Sequence, residues 1–274
     1  LDYGQLEIRG MALFSREPRM MQVLNDPEGD IHQTTAEEFG VDRSPTAKQL
    51  NFLMLYGGGS YVLAEKLTLE GVPTTPQQAQ SYVDRYNQIY PGVKEFRLKL
   101  LREHRAEGCI RLWTGRTRTI DDINWDSKSS VHKAETTLSN NCIQALGQDF
   151  LKASIVRCDP CCINPDAVLP QRMTLGVKHK AILADYARKV ERLRRLFRTA
   201  NLQWILQVHD EAIYFVREEA AEEVGRAIAD VMTWQHYFPA PLPYSVPLTV
   251  EGGIAGTWKD AKGKKPEIEI KAGF

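Results

Sequence analysis

The stretch "ILQVHDEAIYFV", Ile205 to Val216, alternates like a half-buried β-hairpin, yet its centre holds His209, Asp210 and Glu211. Carboxylates this close repel one another and stay ionised together only when a cation lies between them. Ligands that are all oxygen select a hard ion, Mg²⁺ or Mn²⁺. A turn at His209 to Glu211 lifts the acids to the rim of the sheet, although an ordinary acidic turn would read the same way. Asp2 in "LDYGQLEIR" is a second acid at the end of an apolar strand, which is what a two-metal centre for phosphoryl transfer requires. Lys48, Phe52 and Tyr56 follow at i, i+4 and i+8 and place an ammonium, an aromatic face and a phenol on one helical stripe. Such a stripe is either amphipathic core or a nucleotide ruler, with Lys48 at the positive helix end meeting phosphates and Phe52 stacking on base or sugar.

These groups need elements to hold them. Leu1 to Tyr3 reads as a strand end, and the pattern turns helical through Met11 to Phe14. Asp30 is a candidate N-cap for the next helix. In "DRSPTAKQLNFLMLYGGGS", Ser44 is the expected cap, Pro45 fits the first turn, and Gly57 to Gly59 offer a left-handed stop. Thr75, Pro76 and Gln78 form a capping box ahead of a face made by Ala79, Tyr82, Val83 and Tyr86. A basic helix follows from Val93 to Arg105, then strand or loop from Gly108 to Ile120, and a long helix from about Lys133 to Arg157. A turn-rich segment around Cys158 to Lys180 looks inserted, with helix again over Ala181 to Thr199. The hairpin Leu202 to Val216, a helix from Glu218 to Trp234, a Pro-rich turn at Pro239 to Pro243 and the strand "VPLTVEGGI" complete the order. Helices in a block with strands at both ends of the chain predict an α+β fold in which a helical insert leaves and rejoins a small antiparallel sheet.

Composition narrows the classes of function. Lys plus Arg and Asp plus Glu are equal at 35 each, so the whole-molecule field does not draw in polyanions and nucleic-acid contact must come from local stripes. One runs through Lys94, Arg97, Lys99, Arg102, Arg105, Arg111, Arg116 and Arg118, another from Lys178 to Arg198; each alone reads as a solvated helix face. No window reaches the roughly 20 apolar residues of a membrane span and no leader pattern opens the chain, so a cytoplasmic location is expected. Five cysteines, an odd number, fit a reducing compartment. "CDPCC" has zinc-like spacing but lacks a second ligand pair, so Cys158, Cys161 and Cys162 read as structural thiols.

In order and approximate spacing, "LDYGQLEIRGMALFS", "AKQLNFLMLYGGG" and "LQVHDE" resemble motifs A, B and C of the A-family DNA polymerases. The likeness extends through "DIHQTTAEEFGV", "YPGVKEFRLKLL", "GRTRTI", Asn140 to Gln144 and "VPLTVEGGIAGTWKDAK", and omits the insertion. It implies an α+β fold: a palm with a small antiparallel sheet at 1–14 and 131–274, the insertion lying at about 158–180, and mostly helical fingers at 15–130. Because the chain opens inside motif A, the expectation is a fragment or split-gene product that lacks the thumb, with an unpaired edge on the sheet that carries Asp2. The resemblance implies DNA-directed DNA polymerase activity, with Asp2, Asp210 and the Tyr3 carbonyl holding two Mg²⁺ ions, for which Mn²⁺ can substitute, and Glu211 as the nearby motif C acid. Lys48 is implied to bind the phosphates and protonate pyrophosphate, Phe52 to stack, and Gln5 and His32 to lie near the triphosphate. Glu7 is implied as the gate that excludes a 2′-hydroxyl, with Tyr56 as its neighbour. Asn140 and Gln144 are implied as minor-groove readers, His209 as a primer-end contact and Arg116 as a DNA contact. The family arginine expected four residues before Lys48 is replaced by Ser44, with Arg43 one residue earlier, and Gly4 stands where serine is frequent. The implied partners are a DNA primer-template, dNTPs and, if the gene is split, a separate polypeptide carrying the thumb and the N-terminal palm. Two other readings stay open: a non-catalytic DNA-binding half of a split polymerase, and a metal-dependent phosphodiesterase, which gives the Lys48 stripe no task.

Overall fold

β1 (Asp2–Tyr3) is only two residues long, yet it sits at the centre of a five-stranded antiparallel sheet. Its neighbours are β5 (Glu211–Phe215) on one side and β6 (Val250–Ile254) on the other, with β4 (Gln203–Val208) and β7 (Ile268–Ala272) outermost. The expected unpaired edge beside Asp2 is therefore not there: Asp2 pairs with Glu211 and with Glu251 at once. The edges fall on β4 and β7. The structure is a computed structural model, and it describes residues 1–158, 184–185, 188–189, 191–193, 195–196, 199–233, 246–263 and 266–273. The Pro-rich turn, Cys161, Cys162 and most of the inserted segment lie outside the described residues.

The chain divides into two compact units. Unit 1 comprises 1–6, 147–239 and 247–274; unit 2 comprises 7–146 and 240–246. In unit 1 the sheet is covered by α9 (Ala221–Met232), preceded by a 3₁₀ turn at Glu218–Ala220. Glu222 and Glu223 in its first turn suit the positive helix end, while Val224, Ile228 and Val231 are buried at helical spacing. Gly225 lets this helix lie directly on β7, because a Cβ there would stand 3.3 Å from Ile270 Cγ1. The isoleucines of "EIEIKA" alternate at strand period and mark β7, an element the pattern reading missed.

The helices before the long one are α1 (Leu6–Ser15), α2 (Pro18–Leu24), α3 (Ile31–Phe39), α4 (Lys48–Leu55), α5 (Ser60–Leu69), α6 (Pro76–Ile89) and α7 (Pro91–Glu107). A two-stranded ladder of β2 (Ile110–Arg111) and β3 (Thr117–Arg118) then leads into α8 (Lys128–Cys158). Met11, Leu50, Leu63, Leu67 and Tyr86 are buried in unit 2. Helix α1 starts five residues earlier than the periodicity suggests, because Gln5, at φ 52°, turns the chain sharply after β1. Asp30 caps α3 by accepting from the His32 and Gln33 amides, and Thr75 and Gln78 form the expected capping box. Ser44 does not cap α4. It keeps an extended conformation within a π-type turn at Arg43–Ala47, and α4 begins at Lys48 behind Ala47 with no side-chain cap. At its far end Gly57 takes φ 70°, the expected left-handed stop. The basic helix is not wholly a solvated face, since Arg97 is buried.

Two helix starts share one acid. Glu17, 2% exposed, accepts from the Arg19 amide at the start of α2 and, at 2.7 Å, from the Gly92 amide at the start of α7. Its charge faces two positive helix ends, and glycine at 92 permits the approach, since a Cβ would stand 2.8 Å from the carboxylate. Glu17→Ala orphans a half-buried amide and removes a cap supplied by a buried acid, and we expect it to lower stability by about 2–3 kcal/mol in chemical denaturation. A loss under about 0.5 kcal/mol, the size of an ordinary surface change, would contradict this role.

Candidate active site

The hairpin of β4 and β5 closes through His209 and Asp210, with Val208 paired to Glu211. His209 adopts φ 55° at the first turn position, as tight hairpins demand, in spite of the cost to a non-glycine residue of about 1–2 kcal/mol. Two glutamines stiffen this turn. Gln148 Nε2 donates to the His209 carbonyl at 3.1 Å, and Gln207 Nε2 donates to the same carbonyl and to Gln148 Oε1. Gln148 escaped the sequence reading, although it stands four residues beyond Gln144.

The turn brings Asp210 within hydrogen-bonding reach of Asp2 across 208 positions of sequence. Asp2 is anchored by its successor: the Tyr3 ring is buried, its hydroxyl meets Ser154 Oγ at 2.7 Å and donates to the Met232 carbonyl at 3.0 Å. Asp2 Oδ1 is itself buried with no hydrogen-bond partner. Burial, then the charges of Asp210 and Glu211, push the Asp2 carboxyl from 3.8 up to about 6, with Lys262 opposing them. The folded chain thus holds this proton more tightly than the unfolded chain. Its contribution to stability is full below pH 3.8 and is lost as pH rises to about 6. A divalent cation bound there would replace the missing proton, so if Asp2 holds Mg²⁺ the ion should raise the thermal midpoint more at pH 7 than at pH 4. An equal shift at both pH values would count against an Asp2 ion site.

Glu211 behaves differently. Lys262 Nζ lies 2.7 Å from one oxygen and Trp258 Nε1 donates to the other at 2.9 Å. Burial works against its charge, but these hydrogen bonds outweigh it and hold its pKa below the ordinary value. Trp258, on the short helix α10 (Trp258–Ala261), and Lys262 come from the "GTWKDAK" segment. Their pairing with Glu211 left no signal in sequence spacing. Asp2, Glu211, Trp258 and Lys262 all border a cleft of about 630 Å³ in unit 1. Among the described residues no three His, Cys, Asp or Glu side chains form a metal cage. Mg²⁺ does not need one, since it commonly takes one or two carboxylates and completes its shell with water and substrate phosphate. The unpartnered Asp2 oxygen beside a second carboxylate fits such an ion.

Unit 2 gathers the other candidates. Lys48 stands exposed at the start of α4, with Phe52 and Tyr56 half-buried along the same helix. His32 is buried and lies 5.6 Å from the Phe52 ring, tilted by 40°. Arg43 is held by Asp30, with Nη2 2.6 Å and Nε 2.7 Å from Oδ2, so the α3 cap also fixes a guanidinium before α4. Burial, Arg43 and Lys48 depress the His32 pKa, while Asp30 acts in the opposite sense. Glu7 is half-buried on α1, and Arg116 is exposed just before β3. On α8, Gln144 is exposed, whereas Asn140 Oδ1 is buried without a hydrogen-bond partner. Gln5, half-buried, belongs to unit 1 with Asp2, Tyr3, His209, Asp210 and Glu211.

A small antiparallel sheet with paired acids at a strand and a hairpin turn, joined to a largely helical unit, is a polymerase-domain fold. It matches the structure titled "POL domain of Pol1 from M. smegmatis complex with DNA primer-template and dNTP" with a TM-score of 0.63 at 20% identity, over 90% of this chain and 37% of that one. The chain belongs to DNA polymerase family A, whose family model matches residues 1–260. It is 29% identical over 270 residues to thermostable DNA polymerase I of Thermus aquaticus, and 28% identical over 270 residues to DNA polymerase I of Lactococcus lactis subsp. cremoris. The matches cover 96% and 95% of this chain but only 27% and 26% of those proteins, so the chain spans about a quarter of their length. No helix among the described residues is long and apolar enough to cross a membrane.

Proposed function

We propose that the chain supplies the palm and fingers of a template-directed DNA polymerase, extending a primer 3′-hydroxyl with dNTPs. The observation that carries this reading is the meeting of Asp2 and Asp210, two acids from opposite ends of the chain, beside an unpartnered carboxylate oxygen. Palm function is allotted to 1–14 and 131–274 and fingers function to 15–130. Asp2, Asp210 and the Tyr3 carbonyl are the groups that would hold two Mg²⁺ ions, or Mn²⁺ in their place. Bound there, the ions supply Lewis acidity, which makes the primer hydroxyl a better nucleophile and neutralises charge on the leaving oxygen.

The chain's own residues do the rest. Lys48 sets a point charge against the phosphates and donates a proton to the departing pyrophosphate. Arg43, His32 and Gln5 add donors for the triphosphate, and Phe52 offers a stacking face. Glu7 excludes the 2′-hydroxyl, with Tyr56 beside it in role. Asn140 and Gln144 read minor-groove acceptors shared by correct pairs, while His209 and Arg116 hold primer and duplex. Glu211, neutralised by Lys262, braces the hairpin that presents Asp210.

The test is primer extension by the full polymerase against end-labelled primer without nucleotide: extension that depends on dNTPs supports polymerisation, whereas shortening of the primer favours the phosphodiesterase. Glu7→Ala is expected to relax discrimination against ribonucleotides by about 100-fold, near 2.7 kcal/mol. Unchanged sugar selectivity would remove the gate role.

A further inference from the structure

We propose that Asn51 is a positioning residue that fixes the His32 ring in its Nε2–H tautomer, so that the ring presents one N–H donor and no lone pair to the phosphate oxygens of an incoming nucleotide. The phosphate part of this claim rests on the proposed role of His32; the tautomer part does not. Asn51 lies on the inner face of α4, 1% exposed, between Lys48 and Phe52 on the outer stripe, and the sequence reading gave it no role.

Proton accounting fixes its orientation. The Thr35 hydroxyl has one hydrogen, and its shortest contact is the Ile31 carbonyl at 2.7 Å, one turn back on α3. With that hydrogen committed, Thr35 Oγ1 can only accept from its remaining neighbours. Tyr90 donates to it at 3.3 Å, and the amide atom of Asn51 at 3.0 Å must be the NH₂ group. The 3.3 Å approach of Asn51 Oδ1 to the same oxygen is then not a bond. The second hydrogen of that NH₂ faces His32 Nδ1 at 3.2 Å. A donor there requires Nδ1 to carry the lone pair, so the ring hydrogen sits on Nε2. Among the described residues Nε2 has no hydrogen-bond partner, which leaves its hydrogen for a ligand.

The surroundings agree with an uncharged ring. Burial and the cations Arg43 and Lys48 disfavour imidazolium, against Asp30. Lys48 therefore supplies charge for a phosphate, and His32 supplies direction.

The test uses the full polymerase labelled with [¹⁵N]histidine, with His32 signals assigned by their loss in His32→Gln. The expected wild-type spectrum shows an unprotonated Nδ1 and a protonated Nε2. In Asn51→Asp the carboxylate accepts, and a hydrogen moves onto Nδ1. Thr35→Val, which frees the amide of Asn51 to turn over, is expected to give mixed tautomers and covers the case in which Asn51→Asp fails to fold. In steady-state extension Asn51→Asp is expected to raise the dNTP KM about 10-fold, near 1.4 kcal/mol, with kcat changed less than twofold. In the His32→Gln background the same change is expected to add nothing. A ring whose tautomer is indifferent to both substitutions overturns the positioning role. A tautomer that shifts as expected while KM stays fixed keeps the Asn51 assignment and overturns the contact between His32 and phosphate.

Discussion

Replacing Asp210 by alanine is expected to lower nucleotide incorporation by the full polymerase by about 10³-fold or more in kcat, with primer-template affinity unchanged within a few-fold. The magnitude follows from the several kcal/mol that a bound cation contributes to charge stabilisation, at 1.36 kcal/mol for each factor of ten. Asp210 is the turn residue beside Asp2, and its neighbour Glu211 is already committed to Lys262 and Trp258. Loss of the second acid leaves the burial of Asp2 but relieves the repulsion that adds to it in raising the Asp2 pKa, so the metal-free variant should be more stable than the parent at pH 7. Extension within tenfold of the parent would refute the metal assignment. Lost activity together with lost folding would refute only the claim of added stability, and Asp210→Asn then repeats the kinetic test with shape preserved.

The second large effect is expected from Lys48→Ala, which should reduce kcat/KM for dNTP by about 100-fold or more, near 2.7 kcal/mol. A charge-assisted contact to phosphate contributes about 1.5–3 kcal/mol, and Lys48 adds to it the positive end of α4. Arg43 cannot substitute freely, because Asp30 holds its guanidinium by two nitrogens. Lys48→Arg is expected to restore part of the binding but less of kcat, since guanidinium keeps its proton where ammonium can release one. Equal rescue of kcat and KM would leave Lys48 a binding charge and remove its role as a proton donor. Unaltered kcat/KM in the alanine variant would remove both.

What the sequence disclosed follows from which interactions are local. The caps at Asp30 and Thr75, the hairpin around Asp210 and the long helix α8 rest on neighbours within a few residues, and all were legible. Ser44 misled because a residue of good capping chemistry sits in a turn whose path is set by the packing of Thr46 and Ala47, which are buried. The central position of β1 could not be read from two residues, since it depends on pairing with strands more than 200 positions away. In the candidate site, the two acids Asp2 and Asp210 could be singled out by residue type, and the structure brings them together. The committed state of Glu211 was not, because Lys262 reaches it across 51 positions. Asn51 and Gln148 were passed over for a related reason: a neutral amide reveals its task only through the partners that orient it.

The two-residue strand β1 also has a consequence for how the site can fail. Successive strand residues point to opposite faces, so a shift of one place would send the Tyr3 phenol toward the cleft and withdraw the Asp2 carboxylate. No intermediate alignment keeps both hydrogen-bonded neighbours. The buried contacts of Tyr3 with Ser154 and Met232 therefore act as a detent, and damage to them should split molecules into competent and dead populations instead of weakening every molecule alike.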